Sequence, residues 1–127
     1  MIRPGSLRES IRAAISEVLQ PHSAVLAGWE GGSAAFDAVD DYSDIDLNFL
    51  VTDDVSLDEL YSAAEDALNK LSPITLRHDS PPGRYYRLRD SDEFLLIDLC
   101  FVRVAAADHY LDFARHGTAC RIFDKAE

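Results

Sequence analysis

The sequence predicts an α/β (α+β) fold, a mixed β-sheet with helices packed mainly on one face. Three observations lead there. Segments with helical spacing of apolar residues alternate with short β-favouring runs. Several β-favouring runs then follow one another in the second half before a last helical segment. No repeat, linker or low-complexity block divides the chain, and 127 residues suffice for one core that buries roughly two thirds of the unfolded surface.

The elements follow in order. Ser6 and Glu9 form a capping-box pattern, after which Leu7, Ile11, Ala14, Ile15 and Val18 recur at helical spacing until Pro21. Ala24 to Trp29 reads as a short buried strand. Gly31-Gly32-Ser33 is a turn entering a short helix over Ala34 to Val39, and the next strand spans about Ile45 to Thr52. Ser56 and Glu59 open a second helix whose apolar face is Leu57, Leu60, Tyr61, Ala64, Leu68 and Leu71. Ile74 to His78 is a strand, Ser80-Pro81-Pro82-Gly83 a turn, and Tyr85 to Arg89 its return. Phe94 to Val104 is the longest β-favouring run. A helix over Ala106 to His116 stops at Gly117, and Ala119 to Phe123 supplies an edge strand.

Composition narrows the function. With 23 acidic against 12 basic residues the net charge is −11, a field that opposes an extended nucleic-acid surface. No stretch approaches the roughly 20 apolar residues of a membrane helix, and the first residues lack the apolar core of a secretory signal. A soluble cytoplasmic protein is expected. Cys100 and Cys120 are too few for a disulfide framework and are expected to be buried as small hydrophobes. The four histidines have no metal-ligand spacing, and Trp29 is expected to pack beneath the glycine turn.

Chemistry concentrates in Asp44 and Asp46. Residues i and i+2 of a strand share a face, so both carboxylates project together from a run continued by Leu47, Phe49, Leu50 and Val51. Such neighbours must share a proton or hold a cation. Asp90-Ser91-Asp92 has the same spacing in a polar, arginine-rich setting and reads as a solvated turn. Asp98 is the third acid, with four apolar residues on either side. It either pairs with an arginine such as Arg103 or Arg87, or joins Asp44 and Asp46 from a neighbouring strand.

Gly32-Ser33, ten residues, then Asp44-Ile45-Asp46 resembles the signature of the DNA polymerase β-type nucleotidyltransferase superfamily. Tyr42 to Leu47 is especially similar to its small bacterial members, the minimal and aminoglycoside-type nucleotidyltransferases. The resemblance covers residues 24 to 102 and implies the nucleotidyltransferase fold. It implies that Gly32 and Ser33 contact the phosphates of a nucleoside triphosphate, ATP by expectation. Asp44, Asp46 and Asp98 then hold one or two Mg²⁺ (or Mn²⁺), and a nucleoside monophosphate, AMP by expectation, passes to a hydroxyl acceptor on a small molecule or a protein.

The pattern departs from the family where Ala34 and Ala35 stand in place of a phosphate-binding arginine and Asp37, Asp40 and Asp41 load the arm with negative charge. Arg84, Arg87 and Arg89, near Tyr85 and Tyr86, are the available substitutes. Relatives carry a further helical domain, so the single domain over residues 1–127 is expected to be the N-terminal part of a longer protein or to work with a helical protein partner. The alternative is a non-catalytic binding module, the antitoxin-like partner of a helical protein. Keeping three acids in apolar strands without a cation is costly, which favours the enzyme.

Overall fold

The computed structural model describes residues 4–31, 44–81, 83–91, 95–106 and 120–125. Helix α1 covers Pro4–Leu19, β1 Val25–Glu30, β2 Ile45–Val51, α2 Leu57–Leu71, β3 Ile74–Ser80, β4 Gly83–Leu88, β5 Ile97–Arg103 and β6 Cys120–Asp124. A 3-10 turn, Val104–Ala106, follows β5. The helices expected over Ala34 to Val39 and Ala106 to His116 lie outside the described residues, that turn excepted.

Among the described residues, six strands form one sheet in the order β3-β4-β5-β2-β1-β6. Only β2 and β5 run parallel; every other neighbouring pair is antiparallel. A parallel pair cannot be joined by a tight turn, and here α2 and the β3–β4 hairpin make the crossover. The β6 edge matches the tail strand expected from the sequence.

Strict alternation sets the two faces of β2: Ile45, Leu47, Phe49 and Val51 are fully buried, while Asp46, Asn48 and Leu50 are only partly so. Ile97, Leu99 and Phe101 continue the buried face on β5. Leu7, Ile11, Ile15 and Leu19 of α1 and Leu60, Tyr61, Ala64 and Leu68 of α2 close over it as one core. Each leucine or isoleucine among them contributes about 1.5–3 kcal/mol by leaving water. Both described helices thus cover one face and leave the partly buried acids on the other.

The helix starts differ from expectation. Helix α1 begins at Pro4, so Ser6 lies inside it rather than at its cap. Proline suits a first helical turn, where its missing N–H is not needed. Ser56 does occupy the N-cap of α2, but its side chain makes no capping bond, and Glu59 pairs instead with His22, 3.5 Å away. No described helix is long and apolar enough to cross a membrane.

A buried ion pair fixes α1 to the start of the functional segment. Arg8 bonds Glu30, the last residue of β1, and Arg12 Nε lies 3.5 Å from the same carboxylate. Arg8 and Glu30 are 9% and 5% exposed, so neither charge is left to water. Arg8 Nη1 also donates to the main-chain oxygen of Asp44 at 3.1 Å. One guanidinium therefore holds the point where the chain leaves β1 and the point where it re-enters at β2.

Candidate active site

The parallel register places Asp46 directly opposite Asp98 and Asn48 opposite Cys100. The partly buried face carries one row of residues across four strand boundaries. His78 pairs with Tyr85, Tyr85 with Asp98, and Asp98 with Asp46, and the Gly31 N–H donates to Asp46 O at 2.8 Å. The adjoining row is Ser80, Gly83, Cys100, Asn48 and Trp29.

Asp46 and Asp98 are joined by a hydrogen bond between their carboxyl groups, which needs a proton between two acids. Burial is the main cause that raises Asp98 to about 7, followed by the charge of Asp46, the bond to it, and the charge of Asp44. A hydrogen bond from Tyr85 acts the other way, favouring the carboxylate. Asp46 is also raised, chiefly by burial, with its bond to Asp98 and the charge of Arg8 opposing. The two acids titrate as a pair, and near neutral pH they hold a proton between them.

Asp44 stands just before β2 and is exposed. Its Oδ1 accepts from the Leu96 N–H at 3.2 Å, tying it to the chain entering β5. Among the described residues, no group of three or more His, Cys, Asp or Glu side chains is already gathered as a metal cage. Asp46 and Asp98 are in contact; Asp44 flanks them and must turn from Leu96 to converge.

Gly83 makes room for this arrangement. A Cβ there would lie 2.9 Å from Leu99 O and 3.1 Å from Asp98 Oδ1, so the Asp98 carboxyl leans over bare backbone. Tyr85 sits one residue pair away on the same face. Its hydroxyl is held protonated above its ordinary range, first by the charge of Asp98 and then by burial, Asp46 and Asp44.

The three arginines separate. Arg84 turns to the helix-covered face, where it bonds Glu65 at 2.6 Å and Asp79 at 2.5 Å and stacks 4.1 Å over the Tyr61 ring. Arg89 is exposed, 3.4 Å from Asp90. Arg87 shares the carboxylate face with Tyr85, two residues on. Arg103 bonds the main-chain oxygens of Thr52, Asp53 and Val55 instead of pairing with Asp98.

Of the residues singled out in the sequence, Asp46 and Asp98 come together and Asp44 stands beside them, bonded to Leu96, whereas Gly32 and Ser33 lie outside the described residues. Cys100 is buried and unpaired, as expected; the Cys120 side chain is not described. Trp29 is only partly buried and pairs with Asn48 on the carboxylate side; the glycine turn it was expected to pack beneath lies, beyond Gly31, outside the described residues. Sequence reasoning missed Tyr85, His78 and Gly83. Their signal is cross-strand register, which strand periodicity alone does not supply.

No protein-family model and no curated protein matches the sequence. Solved structures do match in shape. A candidate nucleotidyltransferase from Sulfolobus solfataricus superimposes with a TM-score of 0.54 at 12% identity, covering 98% of this chain and 86% of that one. The CdnE cyclic dinucleotide synthase of Elizabethkingia meningoseptica, solved with GTP and Apcpp, superimposes with a TM-score of 0.50 at 17% identity. That match covers 81% of this chain but only 38% of the synthase. Identities this low establish architecture, and together with the mixed sheet and its one-sided helices they show that the chain has the nucleotidyltransferase fold.

Proposed function

We propose that the protein is a nucleotidyltransferase that moves a nucleoside monophosphate, AMP by preference, from a nucleoside triphosphate to a hydroxyl acceptor. The observation that carries this reading is the Asp46–Asp98 pair, two carboxyl groups sharing a hydrogen bond on the face the described helices leave uncovered. An all-oxygen donor set of this kind suits Mg²⁺ or Mn²⁺. Asp46 and Asp98 would hold the ion, joined by Asp44 once its carboxylate leaves the Leu96 N–H. The bound ion supplies positive charge for an in-line displacement at the α-phosphate.

The remaining steps belong to the chain itself. Gly32 and Ser33, just past Gly31 at the end of β1, would offer main-chain N–H groups and a hydroxyl to the β- and γ-phosphates. Asp98, whose proton affinity is raised chiefly by burial, would take the proton of the acceptor hydroxyl. The acceptor oxygen bonds the α-phosphorus, the bond to pyrophosphate breaks, and pyrophosphate leaves. The acceptor would be presented by a helical partner protein or by a further helical domain, in the cytoplasm. A second reading, a non-catalytic module that docks a basic helical partner, draws support from Ala34, Ala35 and the net charge of −11.

Calorimetric titration of Mg²⁺–ATP, and of Mn²⁺ alone, into wild type and Asp46→Asn tests the proposal. Metal-dependent nucleotide binding that disappears in the variant is expected, followed by pyrophosphate release when an acceptor is supplied. A well-folded wild type that binds neither ligand sinks the enzyme reading in favour of the docking module.

A further inference from the structure

Arg87 is the one arginine of β4 whose side chain the structure leaves uncommitted among the described residues. It is partly buried, opposite Leu76 and two residues from Tyr85 on the carboxylate face. Its Nε is buried and has no hydrogen-bond partner among those residues, and none of their ion pairs includes it. A buried guanidinium N–H without an acceptor costs free energy. Arg84, one strand face away, shows what satisfaction looks like, with two carboxylates and an aromatic ring around it. A planar fork of donors left open in this way matches a phosphate group. His78 and Tyr85, paired with each other in the adjoining row, add an imidazole and a phenol beside it.

Position decides which phosphate. The strand order runs β4-β5-β2-β1, so Arg87 and Gly31 lie on opposite sides of the Asp46–Asp98 pair. A triphosphate held next to Gly31, at the end of β1, would occupy the β1 side and leave the β4 side to the other substrate. We propose that Arg87, with His78 and Tyr85 beside it, is a phosphate-binding subsite for the acceptor, so that the molecule receiving the nucleotide itself carries a phosphate group. Naming this ligand the acceptor rests on the nucleotidyltransferase reading; the anion subsite does not.

The test uses the metal-free protein, titrated with glycerol 3-phosphate and, as the uncharged control, glycerol, and followed by amide NMR. Wild type, Arg87→Gln, Asp46→Asn and Arg89→Gln are compared. Saturable binding of glycerol 3-phosphate but not glycerol is expected, weakened at least tenfold in Arg87→Gln and kept in the other two variants. Absence of saturable binding to wild type, or equal binding to Arg87→Gln, overturns the subsite. The titration is repeated with Mg²⁺–ATP present at saturation. Simultaneous binding supports the acceptor assignment, whereas competition gives Arg87 to the nucleotide's own phosphates and overturns it. If Mg²⁺–ATP fails to bind while glycerol 3-phosphate still depends on Arg87, the anion subsite stands and the nucleotidyltransferase reading falls.

Discussion

Asp46 and Asp98 face each other across the only parallel strand pair among the described residues and share a hydrogen bond between their carboxyl groups. Two acids from distant parts of the chain are thereby held against their mutual repulsion by packing on the far side of the sheet. Ile45, Leu47, Ile97 and Leu99, fully buried on that side, flank them in sequence.

Relieving the repulsion should stabilise the metal-free protein. Asp46→Asn keeps the shape and a hydrogen-bond partner for Asp98 while removing one charge. A gain of about 1 kcal/mol is expected, a rise in Tm of about 4 °C, with loss of any Mn²⁺ binding. Thermal melts without metal check this. A lower Tm for the variant would show that Asp46 is held by a cationic partner such as Arg8, not strained by Asp98.

Stability should fall as pH rises. The Asp98 pKa in the folded protein, about 7, lies above the ordinary 3.8. Its contribution is therefore fully present below about pH 4 and is lost as pH climbs through about 7. The site is partly open to solvent, so the loss is discounted to about 1–2 kcal/mol. Urea unfolding of metal-free protein at pH 5 and pH 8 should show wild type weaker at pH 8 by that amount, and Asp98→Asn should flatten the difference. A profile that is identical for both proteins would remove Asp98 from the account.

Breaking the Arg8–Glu30 pair should be far costlier than deleting it. Glu30→Gln removes the carboxylate charge that buried Arg8 bonds. A loss of about 3–5 kcal/mol is expected for the single change, and a smaller loss for Arg8→Met with Glu30→Leu. A denaturant double-mutant cycle measures it. Additive single changes would mean that the two side chains are not coupled.

Filling the space over Gly83 should disturb Asp98 specifically. Gly83→Ala puts a methyl group 2.9 Å from Leu99 O and 3.1 Å from Asp98 Oδ1. Destabilisation of about 1–3 kcal/mol is expected, together with weaker Mn²⁺ binding at temperatures where the variant is fully folded. Ser80→Ala, across the hairpin from Gly83, serves as the control. Unchanged metal affinity in Gly83→Ala would refute the packing role assigned to the glycine.

Much of this was legible from residue order alone. The apolar periodicity of Leu7 to Leu19 and Leu57 to Leu71 marked both helices because one face of each had to be buried. The alternation after Ile45 marked β2, and Asp98 betrayed itself as a charge in an apolar run. Pairing was not legible. Nothing local says that β5 lies beside β2 in parallel, or that Tyr85 falls level with Asp98 and Arg87 one step beyond. The capping boxes misled for a related reason: Ser6 is a good cap only where the helix begins, and α1 already includes Pro4.

The parallel pairing also dictates when the site can exist. Asp44 and Leu96, which touch across it, are 52 residues apart in sequence. Closing that loop, which contains α2 and the hairpin, spends chain entropy ahead of the reward. During synthesis the aspartates of β2 wait, unpaired and solvated, until β5 has emerged. A piece of the chain that lacks β5 lacks the carboxyl pair. Amide exchange should accordingly report Ile45–Val51 and Ile97–Arg103 opening as one unit, with the carboxyl pair lost in the same step as the fold.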